Sequence, residues 1–323
     1  MRRLLSILGL TAPLLLAGVV HAAPLKIGYS DWPGYTAWEI AKVKGLFKKH
    51  DVDVELVWFP IYTDSLTALN TGQLDCNLQT WNDTMAPLAE GVALKTFLIL
   101  DNSFGNDALL AKPGIDSVKD LKGKTIATEL GTCDQFLMLK ALASVGLKEK
   151  DVKYSNLTVP DSAAAFMAGK VDAAVIWQPW VSQIQREGKG KVLYSSADIP
   201  GLIPDIVACQ TKVVESRPKD MQALVAVWLD IIDFLKTNED EAVQIMAKVV
   251  EQPPDAYKAF MPGTRFFDLD MNLKSFENKP NDTTLFGSAK SISEFLVSAG
   301  QLKKVPNYAT ALDPQFVKAA AKK

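Results

Sequence analysis

Acidic and aromatic side chains occur together in short segments that follow strand-like runs of this 323-residue sequence. Residues 30–35, 79–83, 129–134, 177–180 and 204–205 contain four of its seven tryptophans and neither Lys nor Arg. The candidate ligand contacts chosen from these segments are Asp31, Trp32, Tyr35, Thr80, Trp81, Asp83, Thr132, Trp177 and Asp205. Carboxylates neutralise a small cation and aromatic ring faces attract it, by about 2 kcal/mol per desolvated contact. This pattern favours a cationic or zwitterionic nitrogen compound, such as a guanidinium or quaternary ammonium solute.

Some of these residues also have a simpler structural interpretation. Asp31, Asp83 and Asp134 stand where helices are expected to begin, so each of them is equally suited to capping a helix. The backbone N–H groups at the same helix starts can hold a sulfonate or nitrate. An anionic ligand therefore stays open as an alternative.

Residues for enzymatic or metal chemistry are scarce. The sequence has two histidines, His21 and His50, and the second lies in the polar run Lys48–Asp51. A Ser-His-Asp or Cys-His catalytic arrangement, or a histidine-built metal site, therefore lacks its central residue. We expect no catalytic residue, no metal ligand and no cofactor. The three cysteines have no CxxC spacing, so one disulfide can form in an exported chain but its pairing stays open.

The first 22 residues have the pattern of a secretory signal peptide. Arg2 and Arg3 precede an apolar run that ends at Val20, and Ala22 closes a cleavage site of small residues. Cleavage after Ala22 predicts a periplasmic chain whose net charge changes from −2 to −4, because both arginines leave. That charge offers no basic excess for nucleic acid. No later run is long and apolar enough for stable membrane insertion.

Two similar units of secondary structure follow, each in the order strand, helix, strand, helix, strand. Gly72–Cys76 matches Gly169–Ala173 at a shift of 97 residues, and the aspartate in each motif is expected to be structural. This order requires parallel pairing within α/β sheets. The strand-like segments 107–112 and 205–210 flank the second unit, and we predict that they are crossings between two lobes.

Several short motifs are weak singly but specific in their combined order and spacing. They are Ala41-x-x-x-Gly45-Leu46-Phe47 with Val52-x-Val54, Ala68-Leu69-x-x-Gly72-x-Leu74-Asp75, Asp120-Leu121-Lys122-Gly123-Lys124, Ala168-Gly169-x-Val171-Asp172-Ala173 and Trp177-x-Pro179. Through them, nearly all of the chain after the signal peptide resembles the type 2 periplasmic substrate-binding proteins of ABC importers. The resemblance is to their nitrate/taurine/aliphatic-sulfonate group, which shares its fold with the NMT1/THI5-like proteins.

The resemblance implies a two-lobed α/β fold, in which each lobe is a mixed sheet flanked by helices and two strands form the hinge. It implies lobe 1 at residues 23–108 plus 209–323, lobe 2 at residues 109–208, and the candidate contacts at the cleft between them. The implied function is that of a monomeric periplasmic solute-binding protein. Such a protein captures a small-molecule ligand between its lobes and delivers it to a membrane permease and its ATPase, with no chemistry on the ligand.

The family leaves three alternatives open. The ligand can instead be a sulfonate or taurine, a nitrate, or a pyrimidine-precursor anion. The chain can act as a periplasmic sensor or adaptor that signals to a partner. It can also be an enzyme on the same fold, although the sequence offers no suitable general base, metal site or phosphate-binding loop.

Overall fold

The computed structural model describes residues 23–322, so the predicted signal peptide lies outside the described residues. Within that range the chain forms eleven strands: β1 (Leu25–Tyr29), β2 (Val54–Trp58), β3 (Cys76–Thr80), β4 (Leu94–Ser103), β5 (Asp107–Ala111), β6 (Thr125–Thr128), β7 (Lys153–Asn156), β8 (Ala173–Trp177), β9 (Lys191–Ser195), β10 (Pro204–Gln210) and β11 (Thr264–Phe266). The α-helices of the same range are α1 (Pro33–Thr36), α2 (Trp38–Val43), α3 (Leu46–Lys49), α4 (Tyr62–Asn70), α5 (Met85–Ala89), α6 (Cys133–Ser144), α7 (Val159–Met167), α8 (Trp180–Arg186), α9 (Thr211–Ser216), α10 (Pro218–Thr237), α11 (Glu239–Val249), α12 (Pro254–Phe260), α13 (Leu269–Ser275), α14 (Leu285–Ser298) and α15 (Gln315–Ala320). None of these described helices is long and apolar enough to cross a membrane.

The first sheet has six strands in the order β11-β4-β10-β3-β1-β2. β1 pairs in parallel with β2 and β3, because the helices between these strands return the chain to the same end of the sheet. β10 pairs antiparallel with β3 and β4, and β11 pairs antiparallel with β4. Helix α10 packs against this sheet and against α2, where the buried rings of Trp38 and Trp228 stack with their centroids 6.0 Å apart.

The second sheet has five strands in the order β7-β6-β8-β5-β9. β6 pairs in parallel with β7 and β8, whereas β5 pairs antiparallel with β8 and β9. Both sheets therefore repeat one arrangement, in which a parallel trio is extended by an antiparallel strand that follows a crossing. The predicted fold class, two mixed sheets flanked by helices, is confirmed.

The aspartates of the repeated motif have the same role in both sheets. Asp75 Oδ2 accepts a hydrogen bond from the Lys26 amide at 2.9 Å, and Asp172 Oδ2 accepts one from the Thr125 amide at 3.0 Å. Each carboxylate thus links the residue just before one parallel strand to the backbone at the start of the neighbouring strand. Both aspartates are structural, as predicted.

The chain crosses between the sheets twice, through residues 104–106 and 196–203. The two crossings contact each other: Ser196 Oγ lies 2.7 Å from Ser103 Oγ and accepts a hydrogen bond from the Gly105 amide at 2.6 Å. Adjacent crossings of this kind allow hinge motion. β5 pairs wholly within the second sheet and β10 wholly within the first, whereas the predicted boundaries at 108/109 and 208/209 cut through both strands. The exact residue at which the lobes divide stays a prediction.

A disulfide joins Cys76 of β3 to Cys209 of β10. The two residues are direct partners in the antiparallel register of these strands, which brings their Cα atoms to 4.0 Å. The bond closes a separation of 133 residues and thereby fixes the strand that returns from the second crossing. Cys133 is a free, buried thiol. The pairing left open by the sequence is thus settled.

Candidate ligand-binding site

A small cavity is lined by residues of both sheets. Its lining consists of Ser30, Trp32, Tyr35, Tyr62, Thr80, Asp107, Cys133, Trp177, Ile203 and Asp205. Ser30 follows β1, Cys133 lies in the helix start after β6, and Trp177 ends β8, so the carboxyl ends of parallel strands from both sheets meet here, as in other open α/β sheets. The cavity volume is about 10 Å³, roughly the room for one water molecule. A larger ligand therefore requires the lining side chains or the two sheets to move apart.

Five of the nine predicted contacts line this cavity: Trp32, Tyr35, Thr80, Trp177 and Asp205. Trp32 has an extended backbone (φ −94°, ψ 143°) immediately before α1, whose first residue is Pro33. This conformation turns the chain between the end of β1 and the helix, and it keeps the indole at the cavity. Trp177 reaches the same cavity from the other sheet, where its ring meets Tyr62 edge to face at 5.4 Å.

Asp31 bridges the two lobes beside the cavity. Its Oδ1 accepts a hydrogen bond from Trp177 Nε1 at 2.8 Å, and its Oδ2 accepts one from Trp180 Nε1 at 3.0 Å. Burial raises the pKa of this carboxyl, and the two indole N–H groups partly offset that rise. A second hydrogen bond across the lobes runs from Thr63 Oγ1 to Glu129 Oε1 at 2.6 Å. These contacts correspond to a closed arrangement of the lobes.

Three predicted contacts lie away from the cavity. The Trp81 ring is fully buried in the core, and its Nε1 donates to the carbonyl of Leu285 at 3.0 Å. Asp83 accepts a hydrogen bond from Tyr62 OH at 2.8 Å and so supports a cavity wall from behind. Thr132 caps α6, as its side chain accepts from the Asp134 amide. The structure therefore does not bring Trp81, Asp83 or Thr132 to the lining.

Buried carboxyl groups lie in the cavity lining and directly behind it. Asp107 and Asp205 line it, and Asp101 and Asp134 stand directly behind the lining. Asp101 Oδ1 accepts from Trp32 Nε1 at 3.0 Å, and Asp205 Oδ1 accepts from Tyr35 OH. Within residues 23–322, no Lys or Arg lines the cavity, so no cationic side chain neutralises these groups.

The carboxyl groups hold their protons unusually tightly. Burial raises the pKa of Asp107 and that of Asp101 to about 7. Burial and the neighbouring Asp101 raise the pKa of Asp205 well above its ordinary value, and these two carboxyls share a hydrogen bond. The pKa of Asp134 is also raised well above its ordinary value, first by burial and then by Asp107. The cluster is thus neutralised by protons or by a bound cation.

Sequence reasoning missed four polar or aromatic lining residues: Ser30, Tyr62, Asp107 and Cys133. Ser30 and Cys133 belong to the segments considered, but their side chains carry no strong chemical signal. Tyr62 begins α4, beyond β2. Asp107 is the first residue of β5, so a search for residues that follow strands passes over it.

Asp107, Cys133 and Asp134 also form the one candidate metal cluster among residues 23–322, with a ligating atom of each within 4.8 Å of the others. Two carboxylates and a sulfur offer three ligands, one fewer than a tetrahedral site takes from protein in most structural zinc sites. Burial raises the pKa of the Cys133 thiol, which disfavours the thiolate that a metal needs. These residues fit an ion poorly unless it completes its coordination elsewhere.

The family model described as NMT1/THI5 like matches residues 32–242. A chain of Brucella abortus (strain 2308) described as a binding protein is 27% identical over 297 residues, which cover 90% of this chain and 89% of the relative. The taurine-binding periplasmic protein of Escherichia coli (strain K12) is 24% identical, with 75% of this chain and 78% of the relative covered. These sequences are similar to the whole two-lobed unit and not to one lobe alone.

Solved structures repeat the same architecture. The alkanesulfonate-binding protein SsuA from Xanthomonas axonopodis pv. citri, bound to MOPS, superposes with a TM-score of 0.76 at 22% identity, covering 90% of this chain and 98% of its own. The desulfurization enzyme DSZB superposes with a TM-score of 0.66 at 16% identity, covering 92% of this chain and 99% of its own. The fold is therefore found in both binding proteins and an enzyme.

Proposed function

The chain belongs to the NMT1/THI5-like family, and from this premise we propose that it is the periplasmic solute-binding component of an ABC importer. It captures a small solute between its lobes and presents the closed, loaded form to a membrane permease and its ATPase. The names of its binding-protein relatives support a transport role. The predicted signal peptide supports the periplasm as the place where the chain works.

One observation carries the choice of ligand: the cavity combines aromatic rings with buried carboxylates and has no cationic side chain among its described lining residues. Trp32, Tyr35, Tyr62 and Trp177 provide ring surface. Asp107 and Asp205 provide carboxyl groups that become negatively charged when a cation displaces their protons. Ring faces and carboxylates both attract a cation. We therefore propose a small nitrogen-containing organic solute that is cationic or zwitterionic.

Closure follows from contacts that need both lobes. The hydrogen bonds from Trp177 and Trp180 to Asp31 exist only when the lobes approach. A ligand that touches residues of both lobes binds the closed form better than the open form, and this difference shifts the population toward closure. No step in this cycle changes the ligand covalently.

A sulfonate or taurine is the second candidate, because named relatives bind such compounds. In this chain the N-terminus of α6 adjoins the cavity through Cys133. Its backbone N–H groups could receive an anion, but Asp134 occupies the first turn of that helix. Because burial raises the pKa of Asp134 well above its ordinary value, this carboxyl opposes an anion only when it is ionised.

The experiment is a thermal-shift and calorimetric screen of residues 23–323. Its compounds are guanidinium, methylammonium, choline, betaine, taurine, an alkanesulfonate, nitrate and a pyrimidine precursor. A compound at about 100 times its Kd adds roughly 2.7 kcal/mol to the free energy of unfolding. Stabilisation by a cation, with the compound recovered unchanged by mass spectrometry, supports the proposal. Turnover of the compound would support an enzymatic function instead. Stabilisation by sulfonate or taurine alone would favour the second candidate.

A further inference from the structure

Several buried carboxylate oxygens near the cavity have no hydrogen-bond donor. They are Asp107 Oδ2, Asp205 Oδ2, Asp134 Oδ1 and Asp134 Oδ2. All three residues are at least nine-tenths buried, and Asp107 and Asp205 line the cavity itself. Buried acceptors are rarely left unpaired in folded proteins. Asp205 lies beside Asp101 and Asp134 lies beside Asp107, so a proton held within either pair would meet part of this demand.

The aromatic donors around the cavity are already engaged. Trp32 Nε1 donates to Asp101 and Trp177 Nε1 donates to Asp31. Tyr35 OH donates to Asp205 and Tyr62 OH donates to Asp83. The strong donors of the lining thus serve carboxylates of the protein, and only the hydroxyls of Ser30 and Thr80 and the Cys133 thiol are left to face a ligand. Once a cation displaces the carboxyl protons, the cavity offers acceptors in excess and therefore suits a ligand rich in donors.

Resting on the proposed function, we infer that the solute is a small cation with several N–H groups, such as a guanidinium, an amidinium or a primary ammonium. Its N–H groups would donate to Asp107 of the second sheet and to Asp205 of the first sheet, the two carboxyls with an unpaired oxygen that line the cavity. A quaternary ammonium carries the same charge but has no N–H group. It would leave each of these oxygens unpaired, at a cost on the order of tenfold in affinity per oxygen.

Cavity size points the same way. The cavity of about 10 Å³ must enlarge to admit any organic solute, and a compact cation requires less enlargement than betaine or choline, whose methyl groups fill space without donating. Zwitterions also bring an anionic group, and the described lining has no Lys or Arg to receive it. Several N–H donors on a compact body meet both conditions.

The test is calorimetry on residues 23–323 with guanidinium, methylammonium and tetramethylammonium chlorides, at sub-millimolar concentrations and constant ionic strength. Guanidinium and tetramethylammonium have the same charge, so their comparison isolates the N–H groups. We expect guanidinium or methylammonium to bind at least about 100-fold more tightly than tetramethylammonium. This factor corresponds to two unpaired oxygens at about tenfold each. Taurine and Zn²⁺ are titrated in parallel.

The matched variants are Asp107→Asn and Asp116→Asn. Asp107→Asn keeps the shape of the side chain but removes its charge and replaces one acceptor with a donor, so binding should weaken at least about 30-fold. Asp116 is an exposed carboxylate paired with Lys191, and its replacement should leave binding unchanged. Asp205→Asn serves if Asp107→Asn does not fold, because Asp205 also lines the cavity.

The possible results separate this inference from the proposed function. Equal or tighter binding of tetramethylammonium, or binding of taurine alone, overturns the donor-rich cation but keeps a solute-binding protein. Binding of Zn²⁺ alone overturns both the inference and the organic solute. Tight guanidinium or methylammonium binding that Asp107→Asn abolishes, with Asp116→Asn unaffected, supports both.

Discussion

Replacing Asp31 should weaken ligand binding even though this residue does not line the cavity. Its carboxylate accepts two indole N–H groups from the opposite lobe, at 2.8 and 3.0 Å. Opening the lobes breaks both hydrogen bonds and returns the carboxylate to water. Replacing Asp31 therefore destabilises the closed form. The affinity drops because more of the ligand's binding free energy is needed to close the lobes.

The size of the effect follows from burial. A hydrogen bond to a charged group contributes about 1.5–3 kcal/mol when it is fully buried. Asp31 is only half-buried, so solvent screening reduces each bond to about 0.5–1 kcal/mol. Asp31→Ala removes both and should raise Kd by about 5- to 30-fold. Asp31→Asn keeps one carbonyl acceptor and should lose about half of that free energy.

Comparison of these two variants separates the hydrogen bonds from the charge. Both remove the same negative charge, so a purely electrostatic contribution would weaken cation binding equally in the two. Calorimetry gives Kd, and stopped-flow fluorescence of the cavity tryptophans gives the dissociation rate, where the loss should appear. Equal effects of Asn and Ala, or a Kd within twofold of wild type for Ala, would refute the role of Asp31 in closure.

Three further predictions follow from other parts of the molecule. Removing the disulfide with Cys76→Ala and Cys209→Ala should lower the free energy of unfolding by about 2–5 kcal/mol, as measured by urea titration, while a ligand still binds. Trp81→Phe should lower Tm, because the carbonyl of Leu285 loses its donor, but should leave Kd unchanged, whereas Trp32→Phe should raise Kd. Burial raises the pKa of Asp107 to about 7, so this carboxyl stabilises the fold most below its pKa in the unfolded chain. That contribution is lost as pH rises through about 7. The empty protein should therefore melt higher at pH 5.5 than at pH 8, while cation affinity should fall below pH 7 by up to about tenfold per pH unit for each proton displaced. A pH-independent Kd would contradict the last of these.

The sequence predicts the two sheets well because each depends on local periodicity. Two strands joined by a helix pair in parallel, because the helix returns the chain to the same end of the sheet. The repeated Gly-x-x-Asp motif marks the same position in both units. Pairing of Cys76 with Cys209 could not be deduced in this way. It depends on the antiparallel register of β3 and β10, which are far apart in the chain.

Side-chain direction limits prediction of the site. Trp32 and Trp81 both follow a strand and precede a short helix, so the sequence pattern treats them alike. The backbone of Trp32 is extended, whereas Trp81 is already helical (φ −63°, ψ −31°). The ψ angles of the two residues differ by about 180°, so one indole lies at the cavity and the other is buried in the core. Local composition carries no information about it.

Asp107 was missed for a topological reason, and the same reason explains how the cavity acquires its charge. β5 and β10 run antiparallel to the parallel strands, so residues at their starts lie beside the carboxyl ends of their neighbours: Asp107, the first residue of β5, opposite Trp177, and Asp205, the second of β10, opposite Thr80. These two strands are also the ones that directly follow the crossings. Each lobe therefore carries one cavity carboxylate on the strand closest to the hinge, and closure brings the two charges out of water together. Unless protons or a cation neutralise these carboxylates, their desolvation opposes closure, and on the proposed function a bound cation allows closure while they stay ionised.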